Sequence, residues 1–301
     1  MAEAPTLDFN AYVTRVKAER AGGAAQGEHD YSYILDRQTR ATFESAKPVE
    51  LAVASSVRIF KQVWRGQLLG SAVKVGDRQF PRIQGIAKEC SETLGIATPQ
   101  VYIVNSPTLN AATYGTDEES FIMVHSALVD HYTDEELRMV IGHECGHVHN
   151  KHVVYLTTLH YLRMVAQMYL GPLVMPVVLT LNAWSRRAEI TCDRAGMLCS
   201  KDEKTSARAL TKLVLGSRKL YDEFNLDAFL EQYEEGKESI GRYMEALASH
   251  PYLPKRVLAM RVFGESELYR NRAGSTPIAD GKGLTMSEVD DRVKALLKGD
   301  A

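Results

Sequence analysis

Hydrophobic positions follow helical spacing over most of the chain. In residues 50–69 apolar side chains recur every three or four positions, which predicts an amphipathic helix on a core. A second helix is predicted over residues 81–94, because its first residue is a proline and proline suits the first helical turn. Helices then dominate from residue 133 to about residue 263, and a weaker helical pattern covers residues 286–297.

Two short runs have the composition of strands instead. Residues 100–104 and 121–124 are β-branched and aromatic, and polar or proline-containing segments bound them, so they predict two strands of a small sheet. Residues 133–136 form a capping box with acidic side chains in the first turn, and the helix that they open is predicted to continue through at least His152. The fold class predicted is α+β, with mainly helices around a small sheet.

Composition divides the chain into three parts. Small and polar residues at 18–30 are typical of a linker, so residues 1–74 are interpreted as an N-terminal arm with amphipathic helices. Residues 75–263 form the predicted central domain, and residues 264–301 form a tail. The first residues lack a basic segment followed by an apolar run, so we expect no export and a cytoplasmic location.

Charge and cysteine content exclude several classes of function. Lys and Arg number 36 and Asp and Glu number 38, so the formal charge of -2 creates no field that attracts nucleic acid. We therefore expect no nucleic-acid partner. The four cysteines form no C-x-x-C pair and are too few for a disulfide framework, so reduced thiols are expected.

The predicted helix from residue 134 contains the motif His143-Glu144-x-x-His147. Residues four apart on a helix are separated by only about 40° around its axis, so both imidazoles can reach a single metal ion. Glu144 is then placed to accept a proton from a metal-bound water without ligating the metal, as a general base does. A buried helix with two hydrogen-bonded histidines would show the same five-residue pattern.

A third ligand is available on a later predicted helix. Glu189 lies in the segment RRAEITCDRAG, with Asp193 four residues later on the same face. A metal-bound imidazole usually donates its second N–H to a carboxylate, and Asp193 is placed to orient a ligand histidine in this way. Gly196 shares that face and would permit close approach of two helices. The alternative is an ordinary surface face of acidic residues.

A late segment, SHPYLPKR, adds two further candidates. His250 precedes a proline, and Arg256 follows six residues later, so the two side chains could stabilise the oxyanion of a tetrahedral intermediate. Histidines in loops are more often ordinary surface groups, and the sequence alone leaves both interpretations open.

Four separated segments together carry a family resemblance: LNAATYG, HECGHVHNKH, RRAEITCDRAG and SHPYLPKR, in this order. The chain resembles the gluzincin zinc metallopeptidases that include HtpX-like heat-shock proteases and CAAX prenyl proteases. The resemblance covers residues from about 75 to 263. It implies a zincin fold with an active-site helix beside a small sheet, and a zinc endopeptidase that hydrolyses proteins or unfolded polypeptides with one Zn²⁺ per chain.

The resemblance also implies roles for individual residues. His143, His147 and Glu189 would be zinc ligands, Glu144 the general base, and Asn110 and Ala111 neighbours of the strand that binds the peptide, while His250 and Arg256 match the family's late His-Pro and Arg positions. The chain departs from the family at Cys145, where an aliphatic residue is usual, and in lacking N-terminal membrane spans. The alternative function is a zinc-stabilised chaperone-like or peptide-binding protein with weak or latent activity.

An apolar stretch, residues 164–185, separates the two halves of the predicted site. A single membrane span there would place Glu189 across the bilayer from the two histidines, which is incompatible with a shared metal. We expect instead a helical hairpin over residues 153–185 that turns near Gly171, since Pro172 and Pro176 interrupt a continuous span. Burial of this hairpin in the core or in a homodimer is favoured, with peripheral membrane contact as the alternative.

Other histidines and cysteines near the motif are interpreted as structural. On a continuous helix His149 and His152 point away from the ligand pair, so they are predicted to be structural or surface groups. Cys145 and Cys192 are predicted to be small packing residues.

Overall fold

The computed structural model describes residues 30–43, 52–53, 70–116, 119–166, 171–221, 223–236, 253–274 and 283–297. The fold is α+β and mainly helical, as predicted. The helices of the described residues are α1 (Ile34–Phe43), α2 (Pro81–Leu94), α3 (Ser126–His131), α4 (Asp134–His149), α5 (Val153–Val165), α6 (Gly171–Ser200), α7 (Glu203–Leu215), α8 (Arg218–Tyr221), α9 (Leu226–Gly236), α10 (Leu253–Gly264), α11 (Glu267–Ala273) and α12 (Met286–Leu296). Of the predicted helix over 50–69, all but residues 52–53 lies outside the described residues, as does His250.

One small sheet has four strands: β1 (Ala72–Lys74), β2 (Gln100–Val104), β3 (Ala111–Gly115) and β4 (Ser120–His125). Their order is β1-β2-β4-β3, with β2 parallel to β4 and the other two pairs antiparallel. The two predicted strands are the central pair, and the register that pairs Val101 with Ile122 buries both side chains completely. Strand β3 forms one edge of the sheet, beside helix α4.

Helices α4 and α6 cross at very short range because glycines face the contact. A Cβ on Gly142 would lie 2.6 Å from the Cβ of Cys199, and a Cβ on Gly146 would lie 2.7 Å from the Cβ of Ala195. On α6, a Cβ on Gly196 would lie 2.7 Å from the carbonyl oxygen of Met139. The close crossing predicted from Gly196 is therefore present, and it brings the side chains of the two helices together.

The Gly196→Ala substitution is expected to lower the free energy of unfolding by about 1–3 kcal/mol, because the added methyl group forces the helices apart. Urea denaturation of the purified protein measures this change. Gly85→Ala is the matched control, since Gly85 lies inside α2 and an added methyl group there would meet nothing within 4 Å. That variant is expected to gain about 0.5–1 kcal/mol from helix propensity. Equal stability of both variants would contradict the tight crossing.

Helix α4 ends at His149, three residues earlier than predicted. The side chain of Asn150 accepts a hydrogen bond from Ser32 Oγ at 2.5 Å, and Lys151 adopts a left-handed conformation with φ +56°. The chain therefore reverses at this point and carries His152 back over the end of the helix. The prediction of a longer helix was wrong because the chain reverses without a glycine or a proline: the His152 N–H donates to the carbonyl oxygen of His147 at 2.9 Å, and the Asn150 side chain donates to that of Gly146 at 2.9 Å.

Residues 30–43 pack as part of the main core, although composition assigns them to an N-terminal arm. Tyr31 and Tyr33 are completely or almost completely buried, and the guanidinium of Arg194 donates to the carbonyl oxygen of Tyr31 at 3.0 Å. The same guanidinium pairs with Asp290 of α12 at 2.8 Å. Arg194 thus joins the N-terminal segment and the C-terminal helix to α6.

Helices α5 and α6 form the expected pair. The rings of Tyr155 and Trp184 lie 5.5 Å apart, and Pro176 lies inside α6 instead of interrupting it. Met164 of α5 and Leu179 of α6 lie on either side of residues 167–170 in sequence, and they are 51% and 40% exposed. Within the described residues no helix combines the length and the apolar character that crossing a bilayer requires.

Candidate metal centre

Three metal-ligating side chains converge where α4 crosses α6. His143 Nε2 lies 3.5 Å from Glu189 Oε2, and His147 Nε2 lies 3.6 Å from Glu189 Oε1. The ligand atoms of all three residues lie within 4.8 Å of one another, and all three side chains are buried. The α4 histidines and the α6 carboxylate therefore enclose a common point.

The separations fit a tetrahedral metal ion. Zinc bonds to imidazole nitrogen and carboxylate oxygen measure about 2.0–2.2 Å, which places neighbouring ligand atoms about 3.3–3.6 Å apart in a tetrahedron. The two distances, 3.5 and 3.6 Å, are of this size, and each histidine approaches a different oxygen of the Glu189 carboxylate. Three protein ligands leave a fourth position for water or substrate, which is the arrangement of catalytic zinc sites.

A buried ion-pair network orients two of these ligands. The Nδ1–H of His143 donates to Asp193 Oδ1 at 3.1 Å, which leaves the Nε2 lone pair of His143 directed toward Glu189. Arg256 on α10 donates to both oxygens of Asp193, at 2.8 and 2.6 Å. Its third contact is with Glu189 Oε2 at 3.0 Å. Asp193 thus occupies the position predicted for it, and Arg256 links it to Glu189.

The charges in this network stabilise one another. Burial alone would lower the pKa of His143, but the Glu189 and Asp193 carboxylates outweigh burial and raise that pKa above its ordinary value. Burial alone would raise the pKa of Asp193, but Arg256 outweighs it and holds that pKa below the usual range. The pKa of Arg256 is raised, because the same two carboxylates outweigh its desolvation. Two buried carboxylates, Glu189 and Asp193, thus share the charge of one guanidinium.

Glu144 follows His143 on α4 and contacts strand β3. Its Oε2 accepts a hydrogen bond from Thr113 Oγ1 at 2.6 Å, and its side chain is buried. Thr113 belongs to β3, so the sheet edge holds the carboxylate in place. Burial and the charge of Glu144 together raise the pKa of the neighbouring Tyr114. Sequence reasoning missed Thr113, although it lies within the LNAATYG segment.

The remaining predicted site residues occupy different places. Ala111 begins β3 and pairs with Val124, while the exposed Asn110 accepts the His125 N–H through its carbonyl oxygen at 3.0 Å. Both residues therefore flank the sheet edge. Arg256 is buried against carboxylates, and a contribution to the oxyanion stays a prediction for it, as it does for His250 outside the described residues.

His152 contacts His147, whereas the helical wheel directed it away from that residue; its burial is consistent with the structural role predicted for it. Because α4 ends before it, His152 Nδ1 lies 3.2 Å from His147 Nδ1, and Cys192 Sγ lies 3.2 Å from the same nitrogen. His149 instead contacts the hydroxyl of Tyr31 at 2.7 Å. All four cysteines are free thiols and buried, as expected.

Comparison with known proteins agrees with this geometry. The sequence model of Peptidase family M48 matches residues 77–262. A plastoglobule-localized metallopeptidase 48 of the Arabidopsis thaliana chloroplast is 32% identical over 237 residues, covering 74% of this chain and 68% of that protein. A Protease HtpX homolog of Tropheryma whipplei is 25% identical over 227 residues, covering 65% of this chain and 77% of that protein.

The Protease HtpX of Vibrio vulnificus is 26% identical over 208 residues, which cover 58% of this chain and 69% of that protein. The match to the family includes β3, α4, α6 and most of α10, which carry Thr113, Glu144, the three converging side chains and Arg256. The chain therefore belongs to peptidase family M48 and is an HtpX-like metallopeptidase.

Proposed function

We propose that the protein is a zinc-dependent endopeptidase that hydrolyses peptide bonds in proteins or unfolded polypeptides. One Zn²⁺ per chain would be held by His143, His147 and Glu189. The observation that carries the proposal is the convergence of these three buried donors at distances that suit a tetrahedral ion. The donor set of two imidazoles and one carboxylate is typical of hydrolytic zinc sites.

The residues around the ion supply the remaining chemistry. When bound, zinc supplies a Lewis acid that acidifies water and polarises a peptide carbonyl. Glu144, held by Thr113, accepts the proton of the attacking water and delivers it to the leaving amine. Asp193 fixes the orientation of His143, and Arg256 keeps Asp193 ionised. We assign His250, with Arg256, to stabilisation of the oxyanion.

We propose that the substrate binds along β3 as an additional strand. The Gly115 N–H donates to Thr157 Oγ1 and points away from β4. Because successive backbone groups of a strand point to alternate sides, the N–H groups of Ala111 and Thr113 are directed the same way. An extended peptide that pairs with them passes Asn110 and reaches Glu144, and main-chain pairing makes few demands on its sequence.

Removal of the carboxylate ligand tests this function. The purified full chain is expected to bind one zinc and to cleave unfolded casein, and Glu189→Ala is expected to weaken zinc binding by more than the factor of about 10–100 typical of outer-shell changes. Competition with a fluorescent chelator measures the affinity. Glu92→Ala, at an exposed glutamate on α2, is the control and should match the wild type. A zinc-loaded wild type that is inert on casein but binds it would favour the chaperone-like alternative.

We also propose that the exposed apolar end of the α5–α6 pair contacts lipid. Met164, Met175 and Leu179 are between 39% and 51% exposed there, and the Arabidopsis relative is named for its plastoglobule location. The full chain is expected to float with phosphatidylcholine liposomes, and Leu179→Glu to reduce the floated fraction. A dimer that the same substitution dissociates would favour a homodimer contact instead. A cytoplasmic location stays a prediction.

A further inference from the structure

A chain of buried polar groups continues from His147 away from the metal centre. His147 Nδ1 lies 3.2 Å from His152 Nδ1. The other nitrogen of His152, Nε2, lies 3.0 Å from Asp36 Oδ2, an ion-pair contact without the geometry of a linear hydrogen bond. Asp36 belongs to α1, so this chain joins the N-terminal segment to a proposed ligand.

The carboxylate of Asp36 is held in a fixed position. Trp184 Nε1 donates to Asp36 Oδ1 at 2.8 Å, and Thr191 Oγ1 donates to Asp36 Oδ2 at 2.7 Å. Both donors belong to α6, the helix that also carries Glu189. Asp36 and His152 are at most 1% exposed, so water does not compete for these contacts.

The order of groups determines where the protons lie. An ionised carboxylate only accepts hydrogen bonds, so the His152 nitrogen that faces Asp36 carries the proton. Neutral His152 then has its lone pair on Nδ1, so a hydrogen bond between the two rings needs His147 Nδ1 as its donor; the Cys192 thiol, 3.2 Å from the same nitrogen, is the competing donor. The lone pair of His147 is consequently on Nε2, the nitrogen that faces Glu189.

We propose that Asp36 and His152 are positioning residues that fix His147 in the tautomer and orientation required of a metal ligand. The inference rests on the proposed role of His147 in holding zinc. It makes α1 a functional part of the metal centre, although α1 lies outside the residues 77–262 that the family model matches. Asp193 performs the equivalent task for His143 from the other side.

The test compares Asp36→Asn with Asp290→Asn in the full chain, since Asp290 is another buried carboxylate that contacts α1 and lies outside the chain of groups that ends at His147. Asparagine keeps the shape of the side chain, but an amide N–H directed at His152 forces the opposite proton arrangement. Zinc affinity, measured by chelator competition at fixed pH, is expected to fall about 10–100-fold in Asp36→Asn. Asp290→Asn weakens the buried contact with Arg194 by the same kind of substitution and is expected to lower stability while leaving zinc affinity within about threefold of the wild type.

The cause of any loss is identified by the tautomer of His147. Long-range ¹H–¹⁵N correlation spectra of histidine-labelled, metal-free protein are expected to show a proton on His147 Nδ1 in the wild type and a changed pattern in Asp36→Asn. Equal zinc affinities of Asp36→Asn and Asp290→Asn, or a wild-type His147 protonated only on Nε2, would overturn the proposal. Binding of a second zinc that Cys192→Ser abolishes would do so as well, because His147 Nδ1 and His152 Nδ1 would then be ligands.

These readouts separate the two proposals. A wild type that binds no zinc contradicts the proposed function, whereas the spectra of the metal-free protein still decide whether Asp36 sets the tautomer of His147. A wild type that binds one zinc and cleaves casein, with an Asp36→Asn variant of unchanged affinity, contradicts only the role of Asp36.

Discussion

Glu144→Gln is expected to lower kcat for casein-derived peptides by about 10²–10⁴-fold, the range that general-base catalysis contributes. Glutamine has nearly the same shape, so it can keep the contact with Thr113, but it cannot accept the proton of the attacking water. Glu144 is not among the three converging ligands, so the variant should still bind one zinc with wild-type affinity. Peptide cleavage assays at saturating zinc measure kcat, and metal analysis of the purified variant measures the bound zinc.

A matched control lies on the same helix. Glu135 is exposed in the first turn of α4, where its backbone hydrogen bond and Thr133 lower its pKa, and it is remote from the ligands. Glu135→Gln is expected to change kcat by less than about twofold, because solvent-exposed substitutions away from the site rarely perturb it. If Glu144→Gln retained more than a tenth of wild-type turnover with zinc bound, Glu144 would not be the base.

The local part of the site could be predicted from the sequence. The spacing of His143 and His147 fixes their relation on one helix whatever the rest of the fold does, and the same holds for Glu189 and Asp193 on another. The capping box of residues 133–136 is also a local signal, and the structure forms it. The small residue Gly196 correctly indicated that another helix passes close by.

Contacts between distant parts of the chain could not be predicted in this way. Asn150 at the end of α4 contacts Ser32, 118 positions away, and the left-handed Lys151 then reverses the chain. A helical wheel extended through residue 152 therefore gave the wrong direction for the His152 ring. Asp36 lies in a segment whose neighbours in sequence are typical of a linker. Its role follows only from burial beside Trp184 and Thr191, which the fold creates.

Strand β3 is a further element that its local sequence predicts poorly. Its residues, AATYG, include small side chains with low strand propensity, and pairing with β4 supplies the missing stabilisation. The family resemblance placed Asn110 and Ala111 near this edge, but the residue that contacts Glu144 is Thr113, two positions later. The register of the sheet, which local sequence does not encode, selects Thr113.

Arg256→Leu is expected to lower the free energy of unfolding of the metal-free protein by about 3–5 kcal/mol, because loss of one partner leaves buried charges uncompensated. Arg256 makes three contacts with Asp193 and Glu189, and all three side chains are at least nine-tenths buried. Urea denaturation in the presence of a chelator measures the change. Arg256→Lys keeps the charge but loses the paired N–H geometry. Its free energy of unfolding should therefore lie between those of the wild type and Arg256→Leu, and it can still be measured if the leucine variant fails to fold.

Arg261→Leu provides the control on the same helix. Arg261 pairs with Asp227 at 2.9 Å, but the two side chains are 40% and 76% exposed, and exposed ion pairs contribute only about 0–1 kcal/mol. Zinc should offset part of the loss in Arg256→Leu and none in Arg261→Leu, since a bound cation neutralises Glu189 in place of the guanidinium. The zinc-induced increase in Tm is therefore expected to be larger for Arg256→Leu than for the wild type. Similar destabilisation of both variants would mean that Arg256 contributes no more than a surface pair.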